Sequence, residues 1–188
     1  MKIALGVTGG IGAYKAVEVA RGLQKRGHDV TAIMTAGATK FVGPLTFEAI
    51  TRHAVITDQY AAGSNADIEH IALASSIDLL LVAPATANII GKFAHGLADD
   101  FLSTLYTATR APVLMAPAMN SQMFAHEAVQ KNLATLEARG VRFVEPGEGY
   151  LACGWIGKGR LAEPDEIVEA VERLFAPSQA LRGRRVLV

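Results

Sequence analysis

Short runs rich in Val, Ile, Leu and Ala, each about the length of one strand, alternate along the chain with longer amphipathic segments. That alternation constrains the fold more than any other feature. A continuous apolar run suits a strand covered on both faces, and strands separated by helix-length crossovers pair in parallel. The runs are Lys2 to Val7, Val30 to Met34, Leu79 to Ala83, Val113 to Ala116 and Val141 to Val144. Helices are expected from Gly10 to Lys25, stopped at Gly27, from Asp99 to Arg110, and from His126 to Arg139, closed by Gly140. A last helix opens at Pro164-Asp165-Glu166, since proline and acids suit a first helical turn. The expected fold is α/β, a three-layer doubly wound parallel sheet of Rossmann-like type.

Composition narrows the function. Lys+Arg 18 balances Asp+Glu 18, and 51% of the 188 residues are hydrophobic, with a mean hydropathy of +0.26. A disordered chain or a general nucleic-acid binder has a different balance, so neither nucleic acid nor a membrane surface is an expected partner. No apolar run reaches the roughly 18 residues of a membrane span, which points to a soluble protein. The start Met1-Lys2-Ile3-Ala4-Leu5 lacks the features of a secretory signal, and the single cysteine, Cys153, has no internal disulfide partner. The expected compartment is the cytoplasm. An apolar excess in a neutral chain suggests surface covered by other subunits. No two histidines stand at i, i+4, and one cysteine makes no zinc pattern, so no metal site is expected. After Phe175, Ala176-Pro177-Ser178-Gln179 reads as a linker. Arg184-Arg185-Val186-Leu187-Val188 then reads as the start of a new strand or as an exposed basic tail.

In open α/β sheets ligands bind beyond the carboxyl ends of the strands. After the first expected strand comes Thr8-Gly9-Gly10-Ile11-Gly12, a glycine turn opening a helix, which suits a phosphate. The dinucleotide pattern fits only at Gly10 and Gly12, because Lys15 takes the third glycine's place. The second strand ends in Met34-Thr35 without an acid for an adenosine ribose. Thr35 and Thr39 instead offer hydroxyls suited to a terminal phosphate, or cap the segment that follows. Thr86, Asn88 and Asn120 follow later strands and are equally helix caps or ligand contacts. Tyr150 to Arg160 is a glycine-punctuated loop carrying the only Cys and the only Trp, a composition suited to a moving lid. His70 sits in a short helical stretch, Asp67 to Leu73, where an isolated histidine is ordinarily a hydrogen-bonded core residue. His28, His53, His95 and His126 read as solvated.

Taken together, Gly6-Val7-Thr8-Gly9-Gly10-Ile11, Ile68-Glu69-His70-Ile71, Ala83-Pro84-Ala85-Thr86-Ala87-Asn88 with Ala98-Asp99-Asp100, the P-x-M-N-x-x-M segment from Pro117 to Met123, and Ala152-Cys153-Gly154 leading to Gly157-Lys158-Gly159-Arg160 resemble the homo-oligomeric flavin-containing cysteine decarboxylases. Within that family the resemblance is to the flavoprotein domains that act on phosphopantothenoylcysteine in coenzyme A biosynthesis. It covers nearly the whole chain. One departure is Phe124, where the family usually has Trp.

The resemblance implies FMN as cofactor, held by Thr8, Gly9, Gly10, Ile11, Thr35, Thr39, Thr86, Asn88, Ala116 and Met119. It assigns His70 as base or orienting group at the substrate thiol, Asn120 to the substrate carboxylate and Cys153 as the acid of the final reduction. Met123 and Ala152 would also contact substrate, and charge alone suggests Lys158 or Arg160 for its phosphate. The implied assembly is a homotrimer or a dodecamer of trimers, with His70 and Asn120 of one pocket from different subunits. Residues 1–175 would be the decarboxylase domain, and 176–188 the linker and first strand of a CTP-dependent ligase domain present in the full-length chain. A peptidyl-cysteine decarboxylase remains an alternative. A noncatalytic FMN-binding regulatory subunit is a further alternative, disfavoured by Cys153 within its full loop, and a flavin prenyltransferase of the same fold is disfavoured by the Pro117 to Met123 motif and the cysteine loop.

Overall fold

The computed structural model describes residues 1–60, 66–150 and 156–176, with side chains left out at 66–69, 150 and 156. Five parallel strands form the central sheet in the order β2-β1-β3-β4-β5. They are β1 (Lys2–Val7), β2 (Asp29–Met34), β3 (Leu79–Ala85), β4 (Val113–Pro117) and β5 (Arg142–Phe143). Every residue of β3 and β4 is buried, as their unbroken apolar sequences require of strands covered on both faces. The chain moves from β1 outward to β2 and returns to place β3 on the other side of β1, pairing Ile3 with Val30 and with Leu79. Neighbouring connections therefore leave the sheet in opposite directions at β1 and β3, which opens a crevice above their carboxyl ends.

Helices cover both faces. On one, α1 (Ala13–Lys25) buries Ala16, Val19, Ala20 and Leu23 against the sheet, a helical-period stripe, and α8 (Pro164–Phe175) packs beside it through Ile167, Val168 and Val171. On the other, α4 (Ala87–His95) buries Ile89, Ile90 and Phe93, joined by Phe101 and Leu105 of α5 (Phe101–Ala108) and Leu136 of α7 (Glu127–Ala138). Phe93 stacks on Tyr106 with ring centroids 3.9 Å apart. Thus the doubly wound architecture expected from the alternating runs is the one found. No described helix is long and apolar enough to cross a membrane.

Several elements differ from the sequence expectation for local reasons. The helices α2 (Pro44–Thr51) and α4 were not anticipated. A Pro start and a left-handed Arg52, φ 59°, bound α2 without the glycine that usually marks a helix end, and α4 carries Gly91 in its interior. The stretch around His70 belongs to a longer helix, α3 (Ala66–Ser76). Beyond β4, α6 (Ser121–Ala125) follows Asn120 as a single short helix. Part of the expected glycine-punctuated loop is an antiparallel hairpin, β6 (Gly147–Tyr150) with β7 (Ile156–Arg160), whose alternating glycines hide the strand pattern. Its tip, residues 151–155 with Ala152 and Cys153, lies outside the described residues, as does all but Ala176 of the linker and new strand expected over 176–188. His28 is not solvated. Its side chain is 9% exposed and its Nε2 lies 2.6 Å from Glu172 Oε1, tying α8 to the start of β2.

Candidate functional site

A cleft of about 470 Å³ opens at the carboxyl ends of β1, β2 and β3. Its walls come from the glycine turn (Thr8, Gly9, Gly10), the turn after β2 (Thr35 to Gly37), the start of α4 (Thr86 to Ile89) and the segment after β4 (Ala118, Met119, Met123), together with Lys92 and Asp100. A larger groove of about 550 Å³ runs along the outer face of α1, lined by Arg21, Lys25 and Arg26 among others. It lies away from the strand ends, where the topology places ligand chemistry.

Thr8 builds the floor. Its buried hydroxyl donates to the Pro84 carbonyl at 2.7 Å and accepts from the Thr86 N–H at 3.2 Å, stitching the end of β1 to the end of β3. The glycine turn stays open above it. Gly10 and Ala13 N–H groups turn back to Thr8 and Gly10 carbonyls, whereas the N–H groups of Gly9, Ile11 and Gly12 have no acceptor among the described residues. Donors at a helix start, with its positive dipole end, form an anion site. Gly9 passes against the turn after β2 so closely that a Cβ there would lie 2.8 Å from the Gly37 Cα. Thr35 is both a cleft wall and a cap, its Oγ1 accepting from Ala38 N–H at 3.3 Å.

Of the residues assigned to the cofactor, the cleft therefore gathers Thr8, Gly9, Gly10, Thr35, Thr86, Asn88 and Met119. Ile11 stands at the turn, 57% exposed. Thr39 is absent from the wall; its hydroxyl donates to the Ala36 carbonyl at 2.9 Å in a local turn. Ala116 is fully buried within β4.

Asn120 adjoins Met119 as the cap of α6, its Oδ1 accepting from Gln122 N–H at 2.8 Å, which directs the amide NH₂ away from the helix end. Beta strand β7 is docked on this segment: Met119 N–H donates to the Gly159 carbonyl at 2.9 Å. Only glycine fits at 159, where φ is +140° and a Cβ would fall 2.4 Å from the Met119 carbonyl oxygen. His70 is held elsewhere, half-buried on α3 with its ring edge-to-face against Phe101 at 6.4 Å. The two cations considered for a substrate phosphate are ion-paired, Lys158 with Glu145 at 2.6 Å and Arg160 with Glu163 at 2.8 Å. Glu163 also holds Lys15 at 2.8 Å, and that contact is the main reason its carboxyl sits below the usual carboxylate range.

The cleft also holds a charged group, Lys92, that is not among the site residues expected from the sequence. Lys92 Nζ lies 2.6 Å from Asp99 Oδ1 and 2.8 Å from Asp100 Oδ2. Burial works against the Lys92 charge, but the two carboxylates outweigh it and raise its pKa. Burial likewise works against the Asp100 carboxylate, while hydrogen bonds from Lys92 and Ser103 hold its pKa below the ordinary value. The signal available in sequence was spacing: Asn88 and Lys92 are four residues apart on one helix face.

A parallel sheet in this order, with a phosphate-type glycine turn and an open crevice at β1 and β3, defines a doubly wound binder of a nucleotide-like cofactor. The Flavoprotein family model matches residues 1–176, and the chain belongs to that family, whose cofactor is a flavin. The chain is 49% identical over 188 residues to the coenzyme A biosynthesis bifunctional protein CoaBC of Bacillus subtilis (strain 168), covering 99% of this chain and 46% of that protein. The protein of the same name from Vibrio cholerae is 46% identical over 187 residues, with 100% and 47% covered. The chain thus spans about half the length of the curated relatives it matches. Among solved structures, a mutant PPC decarboxylase complexed with pantothenoylaminoethenethiol superposes with a TM-score of 0.80 at 26% identity, covering 94% of this chain and 98% of that one. The FMN-dependent cysteine decarboxylase SpaF gives 0.75 at 33% identity, covering 91% and 97%.

Proposed function

We propose that this chain is a carboxy-lyase that converts 4′-phosphopantothenoylcysteine to 4′-phosphopantetheine with FMN, a step of coenzyme A biosynthesis. The observation that carries the reading is the meeting in one cleft of the glycine turn and the Pro117 to Met123 motif, through Met119 and Met123. Identity near one half to bifunctional coenzyme A biosynthesis proteins, and likeness to FMN-dependent cysteine decarboxylases, support it. FMN suits the cleft better than a dinucleotide. The turn after β1 offers backbone donors to a single phosphate, the turn after β2 carries Thr35 and no acid for a second ribose, and the volume fits one ligand of nucleotide size.

When bound, FMN supplies a two-electron sink at the substrate thiol carbon, without which loss of CO₂ would leave an unstabilised carbanion. The chain's own groups handle binding and protons. In this reading the Asn120 NH₂ donates to the substrate carboxylate, its orientation set by the cap on Gln122 N–H. A ring nitrogen of His70 takes the thiol proton, a task for which imidazole suits neutral pH. The Sγ–H of Cys153 delivers the last proton to carbon, and Lys158 or Arg160 receives the substrate phosphate. In keeping with the family that the chain resembles, His70 and Asn120 of one pocket come from different subunits of a homotrimer or a dodecamer of trimers. Residues 1–175 form the decarboxylase domain. The full-length cytoplasmic protein continues through 176–188 into a CTP-dependent ligase, in keeping with the half-length match to relatives called bifunctional.

Turnover by the FMN-loaded protein should be measured with phosphopantothenoylcysteine and, in parallel, with a peptide ending in cysteine. CO₂ and phosphopantetheine from the first substrate alone are expected. Turnover of the peptide alone, or of neither substrate, would overturn the assignment.

A further inference from the structure

The cleft wall carries two unlike sets of groups, the glycine turn with Thr35 and, from α4 and the cap of α5, Lys92 with Asp100. Lys92 follows Asn88 by four residues on α4, so it lies roughly 6 Å beyond Asn88 along the helix axis. Among the described residues Lys92 is the one cation in the wall. Its side chain is only 16% exposed, and it is held rather than free to swing, because Asp99 and Asp100 each take one of its hydrogens. Asp100 is itself fixed as the cap of α5, accepting the Ser103 N–H at 2.8 Å. An ammonium has three donors, so a third remains for an acceptor in the cleft. With Asp99 65% exposed, the ion pair contributes little net stability by itself, which leaves the placement of Lys92 at a ligand wall to be explained.

We propose that Lys92 tunes the bound flavin toward its reduced form. The inference rests on the reading of this cleft as the FMN site. In this proposal the phosphate sits at the glycine turn and the ring system reaches Lys92. Two-electron reduction of a flavin places a hydride on one ring nitrogen and leaves negative charge on the pyrimidine side, and a fixed ammonium favours that charge. Asp99 and Asp100 hold the ammonium in place, but their own charges oppose the effect. The net influence is therefore a balance in which Lys92 and Asp99 pull in opposite directions.

That opposition gives the test. Dissociation constants for oxidised and for reduced FMN should be measured anaerobically on the assembled protein, its Lys92→Met, Lys92→Arg and Asp99→Asn variants. Lys92→Met is expected to weaken reduced FMN about tenfold more than oxidised FMN, equivalent to a fall of about 30 mV in the two-electron midpoint potential. Lys92→Arg should restore most of the ratio. Asp99→Asn should move the ratio the other way by a smaller factor, because it removes a negative charge and leaves Lys92 paired with Asp100. If the ion pair only braces the corner between α4 and α5, Lys92→Met and Asp99→Asn will weaken both forms of FMN alike or shift the ratio in the same direction. Either result overturns the proposal while leaving the cofactor reading intact. Failure of the unaltered protein to bind FMN overturns both.

Discussion

Gly9→Ala tests the cleft at its narrowest point. A Cβ at residue 9 would stand 2.8 Å from both the Cα and the carbonyl carbon of Gly37 and 3.1 Å from its oxygen. Carbon atoms settle at about 3.5–4.0 Å, so the turn after β2 would have to retreat by about 0.7 Å. Neither side yields easily. Both are backbone, and the turn is tied down by the Thr35 N–H to the Val7 carbonyl at 3.0 Å and by the Ala38 N–H to the Thr35 carbonyl at 2.8 Å. Overpacking of this kind costs about 1–3 kcal/mol of stability. The same displacement moves Thr35 relative to the glycine turn, so FMN affinity should fall about 10- to 100-fold, since errors of about 1 Å at a site cost that much. Gly10→Ala is the internal comparison, because its Cβ would meet Thr86 Cγ2 at an ordinary 3.5 Å. Thermal unfolding of the apo protein should separate the two, with Gly10→Ala within about 0.5 kcal/mol of the parent. Titration by quenching of FMN fluorescence gives the affinities. A Gly9→Ala protein that binds FMN within twofold of the parent would refute the geometric argument.

Other outcomes follow from the same structure. Because the Asp100 pKa is depressed in the folded protein, its contribution to stability is present above the unfolded carboxylate value and is lost as pH falls through the folded one. Asp100→Asn should therefore flatten the acid limb of a melting-temperature profile between about pH 5 and 2, and an unchanged slope would count against the Lys92 and Ser103 contacts as its cause. In mixed assemblies, inactive His70→Asn and inactive Asn120→Asp chains should recover activity if pockets are shared between subunits; no recovery after demonstrated subunit exchange would refute sharing. Cys153→Ser should still release CO₂ but fail to form phosphopantetheine, since serine is a far weaker acid than a thiol. A single-turnover assay that finds equal yields of both products would remove Cys153 from the proton-donor role.

The sequence by itself determined the layers and the address of the site. Buried parallel strands must be apolar along their whole length, so β1, β2, β3 and β4 were legible within two residues of their ends, and the loops that follow them marked the crevice. Local chemistry also carried α8, because proline and acids favour the first turn of any helix. Tertiary structure decided the rest. Glycine codes for a tight loop and for a backbone docking site alike. Gly157 and Gly159 therefore read as loop until Met119 was seen bonded to β7. Thr35 and Thr39 look equivalent in sequence, yet only Thr35 reaches the cleft, because Thr39 lies in the turn that Thr35 caps. Lys92 and Asp100 are eight residues apart and still unreadable from sequence as a cleft wall. Their meeting depends on the corner between α4 and α5, and the side of the sheet to which that corner folds is set by long-range packing, not by any local residue preference.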